Sequence, residues 1–289
     1  MSMLEKKLQE NKRIVDAALT SFFNDPTQAK STVAEAMQYA VLGGGKRIRA
    51  FLVRYFATLY GGSEEAATQF AIAIELGHAA SLIHDDLPCM DDAATRHGKP
   101  ACHLQFGEEI AVLAGDALLA AAFEVANGNP YVNAEVARYA VKTIAEKSGR
   151  RGMCLGQEMD LTKSCENIDE LYKVYDLKTG TALQAAAILG CLSGNRVLNE
   201  NEFLPVLDYA KKLGRIFQMK DDILDKTKTE SELGKSNGLD ERNGTKTILS
   251  FMTLQEAKEE IERVAQEASE IFEDFILAEL PFYLAHRER

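Results

Sequence analysis

Two runs of aspartate stand in otherwise apolar, helix-like sequence: Ser81-Leu82-Ile83-His84-Asp85-Asp86-Leu87-Pro88-Cys89-Met90-Asp91-Asp92 and Phe217-Gln218-Met219-Lys220-Asp221-Asp222-Ile223-Leu224-Asp225. Carboxylates packed into such flanks repel one another and lose hydration unless a cation occupies the space between them. An all-oxygen set suits Mg²⁺, which takes a few carboxylates, keeps several waters and completes its shell with phosphate oxygens. Two such clusters imply one metal-bridged polyphosphate held between them. Asp221 and Asp225 are four apart and share a helical face, with Asp222 to one side. Asp85 and Asp91 are six apart, an awkward helical spacing, but Pro88 must disturb the ladder between them and a local bulge would bring both inward. Either cluster alone also reads as a solvated acidic surface or a helix end; the pair, in apolar flanks, favours the metal.

A polyphosphate needs cations as well. Gly43-Gly44-Gly45-Lys46-Arg47-Ile48-Arg49 sets backbone amides and three positive side chains at an expected helix start, where anions are favoured. The spacing is not that of the nucleotide P-loop, and alone it reads equally as an ordinary glycine loop. Arg96, Lys178-Thr179-Gly180 and Gly234-Lys235 add charge near expected chain breaks, each of which by itself reads as a solvated side chain.

The elements that position these groups are helices. Only six prolines occur in 289 residues, and the stretches between breaks carry apolar residues at helical spacing with runs such as Ala120-Ala121-Ala122. Breaks fall at Asn24 to Pro26, Gly43 to Gly45, Tyr60 to Ser63, Arg96 to Pro100, Asn127 to Pro130, Ser193 to Asn195 and Leu233 to Gly244, leaving room for about ten helices. No linker or repeat separates the halves, so residues 1–289 read as a single domain. At 46% hydrophobic and 27% charged the chain is composed like a folded soluble protein. A net charge of −11 argues against a nucleic-acid or anionic-membrane surface and makes any anionic substrate depend on locally placed cations. Five cysteines without a Cys-x-x-Cys pair fit reduced thiols, with Cys89 a small packing residue. The N-terminus lacks a signal-peptide core, and the runs Ile110 to Phe123 and Thr181 to Leu192 are too short or interrupted for stable membrane insertion. A cytoplasmic location is expected.

With these residues in view, the chain resembles the trans-polyprenyl diphosphate synthases, which join isopentenyl diphosphate to an allylic diphosphate. The resemblance runs in order through Gly44 to Arg49, the first acidic motif with its two-residue insertion, Phe106-Gly107, Leu113 to Leu119, Gly156-Gln157, Lys178-Thr179-Gly180 and the second acidic motif. The inserted motif is similar to that of short-chain bacterial farnesyl and plant geranylgeranyl enzymes. The resemblance implies an all-α, single-domain antiparallel helix bundle around a deep central cavity, and a homodimer. It implies that Asp85 and Asp91 hold two Mg²⁺ ions and Asp221 a third, with Asp86, Asp222 and Asp225 in support. Arg96, Lys178 and Gln218 would contact the allylic diphosphate, and Lys46, Arg49 and His78 the isopentenyl diphosphate. Thr179, His97 and Lys235 complete the expected substrate-binding set. A non-catalytic partner subunit and a terpene cyclase are the alternatives; intact motifs speak against the first and the Gly-Gly-Gly-Lys-Arg cradle against the second.

The chain departs from the family's pattern in three places, one of them Asp92-Ala93-Ala94-Thr95, which is less acidic than in close relatives and is expected to loosen outer metal contacts. Where relatives carry paired arginines it reads Arg96-His97, so a conditional charge replaces a permanent bidentate fork, and weaker, pH-sensitive isopentenyl diphosphate binding is expected. In Asn243-Gly244-Thr245-Lys246-Thr247 the expected lysine position holds Thr245, with Lys246 displaced by one. Product length should depend on Ala73, Gly77, Ala80 and Ser81, one to three turns before Asp85. All are small, which favours twenty carbons over fifteen, although small residues also serve close helix packing. Phe123 is a candidate for a floor supplied from the facing segment.

Overall fold

The computed structural model describes residues 1–26, 30–163, 165–227 and 245–288. Thirteen α-helices are found among them. They are α1 Met3–Phe23, α2 Thr32–Val41, α3 Ile48–Leu59, α4 Glu64–Asp85, α5 Cys102–Phe106, α6 Glu108–Asn127, α7 Ala134–Ser148, α8 Met153–Leu161, α9 Ile168–Tyr175, α10 Thr181–Leu192, α11 Glu200–Thr227, α12 Leu254–Ser269 and α13 Phe275–His286. The only sheet among the described residues is a hairpin of β1 Thr95–Arg96 and β2 Lys99–Pro100. The all-α expectation holds; the count exceeds ten because several breaks lack a Gly/Pro cluster. The expected break from Leu233 to Gly244, with Lys235 in it, lies outside the described residues.

Local chemistry starts most helices where the sequence allows. Ser2 caps α1 in a capping box with Glu5, and Ser31, Ser63, Asn133, Asn167, Thr253 and Asp274 each accept a backbone N–H at the head of a helix. Surface helices bury one stripe, such as Leu4, Leu8, Val15 and Leu19 on α1. Two helices are different. α4 and α10 bury residues all round, α4 against α3, α6 and α10, and α10 against α3, α7 and α11. α4 is long and apolar enough to cross a membrane, yet most of it is buried inside the bundle. Because α4 ends at Asp85 in the first acidic motif, a largely buried helix carries the metal-seeking carboxylates to the surface of the bundle.

A π-helical turn, Asp176–Gly180, joins α9 to α10 without a break in the helical path. Its widened ladder holds Lys178 and Thr179. It is pinned from outside by Asp176, which accepts from Arg215 Nε at 2.7 Å and Nη2 at 2.8 Å on α11.

Candidate active site

The first motif does not bulge a continuing helix, as the spacing suggests. α4 stops at Asp85 and residues 86–93 fold back on its end, closed by Leu87 N–H to the His84 carbonyl (3.2 Å) and Ala93 N–H to that of Asp86 (3.3 Å). Asp91 N–H donates to the carbonyl of Asp85 at 2.9 Å, so two aspartates six apart become neighbours. Asp86, 2% exposed, turns inward and accepts from Arg96 Nε through both oxygens at 3.1 Å, and from Arg96 Nη2. Asp86 thereby anchors the hairpin rather than facing the cleft as a catalytic group. The hairpin turns on His97 and Gly98 with φ of 53° and 74°, the left-handed pair that two-residue turns require. His97 is delivered against the glycine loop, where a Cβ on Gly44 would lie 3.4 Å from His97 Cβ and one on Gly45 3.7 Å from its Cε1.

Burial raises the Asp85 carboxyl to about 6; nearby Lys178 opposes the rise, and Asp91 adds to it. Asp91 is raised by burial as well, with Lys178 opposing. Burial alone would lower Lys178, but Asp160, Asp85 and Asp91 together push it well up. Lys178 Nζ bonds Asp160 Oδ2 at 2.5 Å, so a third carboxylate from α8 joins the site. The sequence reading reaches Gly156-Gln157 and misses this group; the signal was Asp160 itself, four residues beyond Gly156 and on the same helical face.

The second motif lies on the last turns of α11, where Asp221 and Asp225 share a face as expected. Asp222, 4% exposed, is consumed internally: it accepts from the Tyr175 hydroxyl, from Ile248 N–H at 2.9 Å and from Gln218 Nε2 at 3.3 Å. Gln218 Oε1 in turn accepts from Thr179 Oγ1 at 2.9 Å. Asp222, Gln218 and Thr179 therefore form a hydrogen-bonded strut next to Lys178. Arg287, just past α13, has no signal in the local sequence. Its Nη2 donates to Asp221 Oδ1 at 2.8 Å and to the Phe217 carbonyl at 2.9 Å, and its guanidinium stacks 3.9 Å from the Phe217 ring centroid.

At the glycine loop, Arg49 Nη1 lies 3.1 Å from His78 Nε2. Arginine can only donate, so Nε2 accepts and the ring proton sits on Nδ1. Burial first, then Arg49 and His97, hold His78 well below its usual range, which keeps the imidazole neutral. Arg49 Nε is buried without a hydrogen-bond partner, and the side chain makes no ion pair among the described residues. A buried guanidinium so placed fits an incoming anion. The backbone amides at the start of α3 are not all open, however, because Ala50 N–H is taken by Glu75 Oε1 at 3.1 Å. Thr245 is half-buried and Lys246 exposed, just before the short 3₁₀ turn Ile248–Ser250.

Beneath Arg49 and His78 a cavity runs into the bundle. Ala73, Gly77 and Ser81 of α4 line it opposite Ala182 and Ala185 of α10. Bulk comes from Ile74, Ile144 and Met153. Ala80 is buried in the core and does not line this cavity, and neither does Phe123, whereas Gly77 and Ser81 do, together with Ile144 and Met153.

The donor set fits Mg²⁺. Asp85, Asp91 and Asp221 offer only oxygens, and the raised carboxyls of the first motif mark an unmet demand for positive charge. Among the described residues no three acidic, His or Cys side chains enclose an ion by themselves.

The chain is 43% identical over 254 residues to geranylgeranyl pyrophosphate synthase 11, chloroplastic, of Arabidopsis thaliana, covering 85% of this chain and 70% of that protein. It is 37% identical over 270 residues to the farnesyl diphosphate synthase of Haemophilus influenzae, covering 93% and 92%. The geranyltransferase of Helicobacter pylori, solved with magnesium and isoprenyl diphosphate, superposes with a TM-score of 0.84 at 26% identity over 98% of this chain and 97% of that one. Residues 30–274, which include both acidic motifs, the glycine loop and Lys178, match the polyprenyl synthetase pattern, and the chain belongs to that family.

Proposed function

We infer that the protein is a short-chain trans-polyprenyl diphosphate synthase, condensing isopentenyl diphosphate with an allylic diphosphate. The observation that carries this reading is the presence of two unlike charged clusters in one helix bundle, the second of which lines an apolar cavity. On one side stand Asp85, Asp91 and Asp160 around Lys178, with Arg96 behind them; on the other stand Lys46, Arg49 and neutral His78, where the Arg49 Nε–H lacks a partner.

Mg²⁺ held by Asp85, Asp91, Asp221 and Asp225, three ions on the family's precedent, would neutralise the departing diphosphate. The chain's own groups do the rest. Lys178 and Arg96 supply fixed positive charge on the allylic side, where charge develops as the C–O bond opens. Arg49 and Lys46 hold the isopentenyl diphosphate, and the His78 Nδ1–H is a further donor whose direction Arg49 fixes. Walls of alanine, glycine and isoleucine below keep water from the allylic cation and receive the growing tail. The small residues Ala73, Gly77 and Ser81 support a twenty-carbon product over a fifteen-carbon one. A homodimer is supported by exposed apolar side chains, Leu104 on α5 and Val112 and Leu113 on α6.

The test is to incubate purified protein and Mg²⁺ with isopentenyl diphosphate, supplying dimethylallyl, geranyl or farnesyl diphosphate separately, and to identify products by mass spectrometry. A twenty-carbon end product supports the whole reading; a fifteen-carbon one keeps the enzyme and removes the length assignment. No elongation with any primer sinks the enzyme reading.

A further inference from the structure

Between the cradle cations Lys46 and Arg49 sits an arginine that faces the other way. Arg47 is 8% exposed and caps α3 in left-handed backbone, φ 55°. Its guanidinium donates to Glu75 Oε2 of α4 at 3.0 Å, to Asp16 Oδ1 of α1 at 2.8 Å and to the Val41 carbonyl at the end of α2 at 2.6 Å. Its own carbonyl accepts from Asn11 Nδ2 of α1 at 3.2 Å. Three helices therefore fix one residue of the loop.

Glu75, 3% exposed, does two jobs at once. One oxygen neutralises Arg47. The other accepts Ala50 N–H, the third amide of α3, where a Ser or Asp at the N-cap would ordinarily bond. Arginine at the N-cap has no acceptor to offer, and α3 has no side-chain cap of its own. Glu75 is thus a cap supplied from another helix. Three residues further along α4, on the same face, His78 grips Arg49. One face of α4 consequently fixes the start of α3 at two points, through Arg47 and Ala50 by Glu75, and through Arg49 by His78.

We propose that Glu75 and Arg47 are positioning residues for isopentenyl diphosphate: their buried pair sets the turn that aims Lys46 and Arg49, and so sets that substrate's affinity without touching it. The proposal rests on the condensation reading above. A purely structural role would weaken the protein without preference between substrates. A positioning role acts on one substrate, because the allylic site is built from α4's end, the hairpin, the π turn and α11, none of which Arg47 touches.

The experiment measures KM for isopentenyl and for geranyl diphosphate in Glu75→Gln and Arg47→Lys, with the full chain and Mg²⁺. The glutamine side chain introduced by Glu75→Gln would still reach Ala50 but would present an amide to Arg47. Expected is a rise of about tenfold to a hundredfold in KM for isopentenyl diphosphate, as for a catalytic or binding group displaced by about an ångström. KM for geranyl diphosphate should stay within about threefold by the same reasoning. Equal rises for both substrates, or no rise for isopentenyl diphosphate, overturn the proposal. If these variants fail to fold, Asp16→Ala, which removes the outer contact of Arg47 together with a pair to Lys12, decides instead. A selective rise in isopentenyl diphosphate KM supports the proposal, and an unselective or absent one ends it. Wild-type protein that elongates nothing would sink the functional reading itself, a result distinct from an active enzyme whose variants show no selectivity.

Discussion

Gly156→Ala should damage catalysis from a position that touches no substrate. Gly156 on α8 crosses the π turn so closely that a Cβ would lie 2.3 Å from Lys178 N and 2.8 Å from both Leu177 C and Lys178 Cα. Ordinary contact begins at 3.4 Å, so the shortfall is about 1.1 Å, and it is against backbone, where no rotamer change gives relief. α8 must therefore move off the turn, carrying Asp160 away from Lys178. Overpacking of this kind costs about 1–3 kcal/mol. An unfolding entropy of about 2.1 cal/mol/K per residue over this chain makes that a fall in Tm of roughly 2–5 °C. The larger effect is on rate: a charged group misplaced by about 1 Å costs on the order of a hundredfold in turnover. Calorimetry and steady-state kcat read the two effects. Gly77→Ala is the contrast, since its nearest neighbour there is Ala122 Cβ at 3.8 Å. In mid-helix it should raise stability by about 0.4–1 kcal/mol. A Gly156→Ala enzyme with kcat within about threefold of wild type, or two glycine variants with the same Tm change, would refute the reasoning.

Other substitutions read other parts of the site. Asp85→Asn should abolish turnover yet stabilise the metal-free protein. Burial lifts the carboxyl from 3.8 to about 6, so the folded state resists its ionisation. The resulting cost to wild type is absent below about pH 4, grows as pH rises to about 6, and above that reaches about 3 kcal/mol at roughly 1.4 kcal/mol per unit. Calorimetry without metal at about pH 8 should therefore show a gain of about 5 °C that vanishes toward about pH 4; a lower Tm at the alkaline end would contradict it. Asp221→Ala should likewise remove turnover, and should also shrink the rise in Tm produced by Mg²⁺ with inorganic pyrophosphate; an undiminished rise would take Asp221 out of the metal site. His97→Arg should lower KM for isopentenyl diphosphate by about fivefold through a permanent fork at the glycine loop, and an unchanged KM would mean residue 97 does not reach that substrate. Ser81→Phe should shorten the products seen by mass spectrometry, because Ser81 lines the cavity; an unchanged distribution would place the length limit elsewhere.

What can be read from the sequence is what depends on local pattern. The helices, the shared face of Asp221 and Asp225, and the approach of a glycine loop to paired cations follow from spacing and residue type. The rest depends on contacts between distant segments. Nothing in residues 86–91 says that the chain leaves the helix and bonds Asp91 N–H to the Asp85 carbonyl; Pro88 announces a disturbance and not its direction. The π turn around Lys178 has no glycine or proline at its start, and what holds it is the grip of Arg215 on Asp176 from α11. Arg287 meets Asp221 across 66 residues, and Glu75 meets Ala50 across 25, so neither partner is visible in a window of sequence. Proximity to Asp85 in the chain predicts that Ala80 lines the cavity, but the neighbours of α4 decide which of its faces meets empty space.

The twin aspartates of each motif have unlike tasks, and helical geometry is the reason. Adjacent residues on a helix point about 100° apart, so a neighbouring pair cannot both face one cleft. The second aspartate of each pair turns into the protein, where an unpaired charge would be costly. Asp86 meets Arg96 there, and Asp222 meets the Tyr175 hydroxyl and Ile248 N–H. Each partner belongs to a segment that the site needs: Arg96 holds the hairpin carrying His97, Tyr175 leads into the π turn carrying Lys178, and Ile248 begins the 3₁₀ turn that follows Thr245 and Lys246. The inward carboxylates therefore tether the cationic half of the site to the same helix ends that present the outward carboxylates. Charge of both signs is held in register by one doublet that straddles the end of α4 and another on α11, and this accounts physically for a doublet where metal binding alone would ask for single aspartates.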